Sequence, residues 1–296
     1  MKKGRLPFKM MIGSYMDESF DKKPAGMFAV GGILGRGVPI FELERGWEKL
    51  LKREGLKFFK ASDCQNGTGE FAKFVVDPKN KTSAERSKLD SISHEFFKLI
   101  GHPVPFDRRN FLCVQGTGIV QSDFYDVTKD AKAKAVLGNS PYRLAYDLAM
   151  IQCAWAMKEL GDGEPRHCVS FVCDEDEEHS DLAEPAFKNL KETNPVAAEY
   201  IGTFSTADEK KCLAVQAADA AVYEVRRALN LALKYWPGTL RKQFDLLAED
   251  KAVFLVTHTK KEQLEWIVAN HEPGDPFKLD ELMNQQLGEN IDQLRV

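Results

Sequence analysis

The sequence predicts an α/β protein built on a mixed sheet with helices on both faces, and three observations carry that reading. Two apolar runs, Phe8 to Met16 and Met27 to Leu34, flank a polar turn and read as an N-terminal antiparallel hairpin. Helical and strand-like patterns then alternate along the chain, as in a sheet covered by helices. Cys168 to Cys173 is a near-continuous apolar run, the pattern of a central strand buried on both faces.

The remaining elements follow in order. Phe41 to Lys52 carries leucines and a tryptophan at helical spacing, and Leu56 to Phe59 reads as a short strand leading to Lys60 and Asp63. Asn66-Gly67-Thr68-Gly69 is a turn signal. Thr82 to Ile100 repeats Leu89, Ile92, Phe96 and Leu99 on one helical face, with Ser83 available as a cap. Phe111 to Val120 returns to strand character, and Pro141 opens an amphipathic helix through Leu160 that Gly161-Asp162-Gly163 ends. A helix over Leu182 to Lys191, a short strand over Glu199 to Phe204 and a long helix over Cys212 to Tyr235 complete a domain of residues 1–240. Residues 241–296, including Ala252 to Val256 and two polar helix candidates, read as a C-terminal helical appendage packed on that domain.

Composition limits the function classes. The 296 residues are 43% hydrophobic and 29% charged, ordinary for a globular protein, and the net charge of −4 provides no global basic footprint for nucleic acid. A nucleic-acid contact would have to use a local cluster such as Lys52-Arg53, Arg108-Arg109 or Arg226-Arg227. The six cysteines form no CxxC pair and most sit in apolar surroundings, which argues against a zinc ribbon and for reduced thiols. Six scattered histidines lack the HExxH spacing, so oxygen ligands, and with them Mg²⁺ or Mn²⁺, are the expected metal chemistry. No apolar run approaches the roughly 20 residues that span a bilayer, and the Lys2-Lys3 start precedes too short a strand for a signal peptide. The expectation is a cytoplasmic protein with no membrane partner.

Four core-like stretches each end in a carboxylate: Tyr15-Met16-Asp17-Glu18, Lys60-Ala61-Ser62-Asp63, Val172-Cys173-Asp174 and Gln216-Ala217-Ala218-Asp219. Two close a predicted strand and one lies in an apolar helix, where an ionised acid is costly unless a cation neutralises it. Asp17-Glu18 is equally compatible with a solvated turn after the first strand. Asp174 begins the run Asp174 to Glu178, and such a run also suits a solvated loop or a helix N-terminus. Asp219 also fits a buried ion pair with Lys60 or Arg226, or a capping role. Lys60 fits a phosphate contact or simple charge balance. The glycines from Gly31 to Gly37 lack the Gly-Lys-Ser/Thr ending of a phosphate loop and read as a hairpin turn.

Together, Tyr15-Met16-Asp17-Glu18-Ser19, the strand Phe28 to Gly32, Lys60-Ala61-Ser62-Asp63, Phe171-Val172-Cys173-Asp174 and Leu213 to Asp219 resemble the DUF 3800 family. That pattern is an early Asp-Glu-Ser-Gly, a mid-chain strand ending in Asp and a late Gln-x-Ala-Asp helix, matched in order from about residue 10 to about residue 235. The resemblance implies an RNase H-like fold and a divalent-metal nuclease. Asp17, Asp174 and Asp219 would be its metal ligands, and Glu18 and Asp63 further members. Phe20 stands where the family has glycine.

The chemistry of such a site does not depend on the family. Carboxylates brought within about 4 Å repel one another, and a cation keeps them ionised. Two ions about 3.5 to 4 Å apart would activate water and stabilise the leaving oxygen of a phosphodiester, with Lys60 as a phosphate contact. Two other classes remain open from sequence. Asp174-x-Asp176 after a strand also suits a nucleotide-sugar glycosyltransferase or a Toprim-like site. A non-catalytic RNase H-like protein of phage or defence systems, acting through partner contacts, fits the acidic charge and Phe20. DNA and RNA are equally open as substrates.

Overall fold

A computed structural model describes residues 10–20, 26–101, 111–160, 167–175, 180–232, 242–248, 253–275 and 281. Six strands, β1 (Met10–Phe20), β2 (Met27–Gly35), β3 (Leu112–Val120), β4 (His167–Asp174), β5 (Ile201–Ala207) and β6 (Val253–Thr259), form one sheet in the order β5-β4-β1-β2-β3-β6. The hairpin β1/β2 and its neighbour β2/β3 are antiparallel, whereas β4 pairs with β1, β5 with β4, and β6 with β3 in parallel. This is the mixed α/β sheet that the alternation of patterns predicts.

The helices in chain order are α1 (Gly37–Glu54), α2 (Ala61–Asn66), α3 (Ser83–Gly101), α4 (Gln121–Val127), α5 (Ala131–Leu137), α6 (Pro141–Leu160), α7 (Ser180–Thr193), α8 (Pro195–Ala198), α9 (Leu213–Ala232), α10 (Lys242–Ala248) and α11 (Lys261–Asn270). They divide between two cores. Met16, Val30, Phe171 and Cys173 point to a core shared with α6, α7 and α11, while Met27, Ile33 and Val114 point to one shared with α1, α3 and α9. Alternation along each strand therefore decides which core a residue meets. No helix among the described residues is long and apolar enough to cross a membrane. All six cysteines are unbonded, five of them buried.

Several boundaries differ from expectation for physical reasons. Strand β1 runs four residues past Met16, because Glu18, Ser19 and Phe20 pair with Val30, Ala29 and Phe28. The Phe20 ring packs 6.4 Å from Phe28 and 6.3 Å from Tyr142, which gives the extended strand an apolar anchor where a glycine would end it. Asp17 and Glu18 are thus inside a strand and not in a turn. Gly31, Gly32 and Gly35 likewise lie in β2 and not in a hairpin turn. A Cβ on Gly32 would fall 2.6 Å from the Ala218 Cβ, so this glycine is where α9 presses onto the sheet.

Leu56 to Phe59 forms no strand. Its chain is held by α9 side chains: the Phe59 amide donates to Gln216 Oε1 at 3.0 Å, and the Phe59 ring sits among Trp47, Phe96 and Phe71. Thr82, not Ser83, caps α3, through a reciprocal pair of bonds with Glu85 at 2.7 and 3.3 Å. The appendage reading of residues 241–296 is corrected by β6, which is the sixth strand of the same sheet and pairs with β3 from Cys113 to Ile119. An edge strand contributed late in sequence looks detached when only chain order is read.

Candidate metal centre

Parallel pairing brings the site together. Met16 lies opposite Cys173 and Cys173 opposite Thr206, so β1, β4 and β5 reach one rim of the sheet side by side. Each then supplies a carboxylate there: Asp17, Asp174 and, from the turn after β5, Glu209. Met16 and Cys173 belong to the α6 core, so Asp17 and Asp174 face the opposite side, where α9 lies. Helix α9 starts at this rim and carries Asp219 less than two turns in, packed on β1 and β2 with Ala218 against Gly32.

Carboxylate oxygens of Asp17, Glu209 and Asp219 lie within 4.8 Å of one another. Asp17 is 6% and Asp219 7% exposed, too little for water to neutralise their repulsion. Asp174 stands beside this trio, with Oδ1 accepting from the Glu175 amide at 2.9 Å and the Glu209 amide at 3.2 Å. It thereby fixes the turn that presents Glu209. The structure thus groups Asp17 and Asp219 with Glu209, with Asp174 buttressing them from the adjacent strand.

Gln216 and Asp219, three apart on one face of α9, organise the other wall. Gln216 accepts from Phe59 N and Trp47 Nε1 and donates to the Glu209 carbonyl at 2.9 Å. Asp219 Oδ2 accepts from the Ala61 amide at 3.0 Å, capping α2, which has no cap of its own. The capping alternative for Asp219 is therefore realised at one oxygen. With Phe59 and Ala61 both tied to α9, Lys60 between them reaches Glu209, Nζ lying 3.2 Å from each carboxylate oxygen.

Electrostatics follow from this packing. Burial first, then the charges of Asp219, Glu18 and Asp174, push Asp17 well above the usual carboxylate range. Asp219 is raised by burial in spite of Lys60 and the Ala61 amide, and Asp174 is pushed up to about 6 by burial and Glu209. Burial works to lower Lys60, but Asp219, Glu209 and Asp17 outweigh it and hold the ammonium above its ordinary value. One lysine thus faces four acids.

Two expected members lie elsewhere. Glu18 alternates to the α6 face and accepts from the Tyr146 hydroxyl at 2.8 Å. Asp63 accepts from Thr68 Oγ1 at 2.7 Å and closes the turn after α2. Asp176 lies outside the described residues. Glu209 is missing from the sequence expectation, which ends this strand at Phe204, whereas β5 runs to Ala207. The run Thr206-Ala207-Asp208-Glu209 repeats the signal of a strand ending in acids.

The donor set suits a hard cation. All donors are carboxylate oxygens; octahedral ligands at about 2.1 Å from Mg²⁺ stand about 3.0 Å apart when adjacent and about 4.2 Å when opposite, so a trio within 4.8 Å would draw together by up to about 2 Å around an ion. Comparison of the chain with protein-family models, with curated proteins and with solved structures gave no match.

Proposed function

We propose that the protein is a divalent-metal-dependent phosphodiesterase acting on nucleic acid, with Asp17, Glu209 and Asp219 as ligands of Mg²⁺ or Mn²⁺ and Asp174 completing the acidic rim. One observation carries this reading: Asp17 meets Asp219 and Glu209, from much later in the chain, in an all-oxygen cluster at the end of parallel strands in which both aspartates are buried. The resemblance to the DUF 3800 motifs agrees with it at Asp17, Asp174 and Asp219. A bound ion would polarise the phosphoryl oxygen and lower the pKa of attacking water. The chain's own contribution is placement: Gln216 and Asp174 fix the Glu209 turn, and α9 sets Asp219 against β1. Lys60 would release Glu209 to the metal and turn to a phosphate oxygen.

The nucleotide-sugar or Toprim-like alternative needs Asp176 and leaves Asp219 without a role, whereas Asp219 lies in the cluster. A non-catalytic protein is favoured by one feature, the Lys60 to Glu209 ion pair, since an internal ammonium is a substitute for a metal. Incubation of wild type and Asp219→Asn with labelled DNA and RNA, in Mn²⁺ and in EDTA, separates these readings. The expected result is Mn²⁺-dependent cleavage by wild type alone. Cleavage that survives in Asp219→Asn discards the site, and calorimetry without Mn²⁺ binding supports the non-catalytic class.

A further inference from the structure

The structure distinguishes the paired-cation stretches Lys52-Arg53, Arg108-Arg109 and Arg226-Arg227. Lys52 is bonded to Glu48 at 2.7 Å and Arg53 to Glu54 at 2.9 Å, so that pair is locally neutralised. Arg108-Arg109 lies outside the described residues. Arg226-Arg227 instead lines a cavity of about 210 Å³ together with Gln65, Asn66, Tyr223 and Asn230.

This cavity is built rather than incidental. Both guanidinium groups lie over the Tyr223 ring, at 5.4 and 5.8 Å, and the Tyr223 hydroxyl is bonded to Gln65. Arg227 Nη1 donates to Gln65 Oε1 at 2.8 Å, and no carboxylate among the described residues pairs with Arg227. Arg226 Nε donates to Ser19 Oγ at 2.9 Å, two residues beyond Asp17 on the same face of β1. The cavity and the carboxylate cluster are therefore joined by two elements, β1 and α9.

Asp219, Tyr223, Arg226, Arg227 and Asn230 form one stripe of α9. At 1.5 Å per residue, Arg226 and Arg227 stand about 10 and 12 Å from Asp219 along the axis. Successive phosphates of one strand lie about 6 to 7 Å apart through space, although they advance only about 3.4 Å along a duplex axis, so the separation is about two phosphates. A guanidinium fork positioned over an aromatic ring suits a phosphate, which it can bind through two parallel bonds.

We infer that the Arg226-Arg227 cavity is a backbone-phosphate subsite, which holds an oligonucleotide strand along α9 about two phosphates from the one engaged at the carboxylates. The inference rests on the nuclease reading for the polymer's identity, and it makes the substrate a strand of at least about three nucleotides rather than a free nucleotide.

The test is fluorescence anisotropy in EDTA with labelled single-stranded DNA and RNA of about twelve nucleotides, and with a labelled dinucleotide. The expected result is that wild type binds the longer strands and not the dinucleotide, and that Arg227→Gln weakens binding about tenfold with a salt slope shallower by about 0.7. Asn66→Asp, which adds a carboxylate at the exposed lip of the cavity, keeps the test open if Arg227→Gln does not fold, and is expected to weaken binding several-fold. Wild type that binds neither strand, or variants with unchanged affinity and slope, would overturn the subsite. Cleavage in Mn²⁺ is read on the same samples: binding that depends on Arg227 without cleavage keeps the subsite and removes the nuclease reading.

Discussion

Asp17 and Glu18 are neighbours on one strand, yet the two faces of the sheet treat their carboxylates in opposite ways. On the α6 face Glu18 and Asp147 have local partners: Glu18 accepts from Tyr146, and Asp147 meets Arg143 Nε at 3.2 Å through both oxygens. On the α9 face Asp17, Asp174, Glu209 and Asp219 gather around Lys60. Asp147 and Asp174 are both pushed up to about 6, the first by burial in spite of its arginine and the second by burial with Glu209 against it. A buried acid is therefore not informative by itself. The balance of acids and cations around it is.

The largest expected effect tests that contrast directly. Asp17→Asn, Glu209→Gln and Asp219→Asn should each lower Mn²⁺ affinity and Mn²⁺-dependent cleavage at least about a hundredfold, since even outer partners of metal ligands typically contribute ten to a hundred. Glu18→Gln should change both by less than about threefold. Titration calorimetry and a gel cleavage assay measure the two quantities, and equal losses at positions 17 and 18 would erase the distinction between the faces.

How much of this was legible in sequence depends on what each residue's position is fixed by. Asp17, Asp174 and Asp219 were legible because each interrupts an apolar run, and that interruption needs no tertiary information. Glu209 was not, since its turn is placed by Asp174 and Gln216 from other elements, and it sits among Asp208, Lys210 and Lys211 like any solvated loop. Glu18 enters the expected site only through the family resemblance, beside a strand predicted to end at Met16. Once Phe20 extends the strand, period-two alternation sends Glu18 to the other core. The same limit applies to β6, whose partner β3 lies more than a hundred residues earlier.

Stability should move in opposite directions on the two faces when no metal is present. Arg143→Gln leaves the largely buried Asp147 carboxylate without its charge partner and should cost about 2 kcal/mol, a fall of about 4 to 8 °C in thermal midpoint. Asp17→Asn in EDTA removes a buried charge from among like charges and should raise the midpoint by about 2 to 4 °C. Scanning calorimetry of both variants settles the sign. A destabilised Asp17→Asn would mean that its bond from the Glu18 amide outweighs the repulsion.

The smallest effect is a pH dependence, and its sign is set by the raised acids. Folded Asp174 keeps its proton up to about 6, whereas the unfolded chain releases it near 3.9. Between those values the native state binds the more protons, so stability falls as pH rises and the loss is complete above about 6. Asp147 titrates in the same window and adds a second share on the other face. Asp174→Asn in EDTA should remove only its own share of the slope. Saturating Mg²⁺ should remove more, because the ion holds Asp17 and Asp219 in their charged forms as well, and should leave the share of Asp147. The expected order of slopes is wild type in EDTA, then Asp174→Asn in EDTA, then wild type in Mg²⁺. A wild-type slope that Mg²⁺ does not flatten would place the ion, if it binds at all, away from these acids.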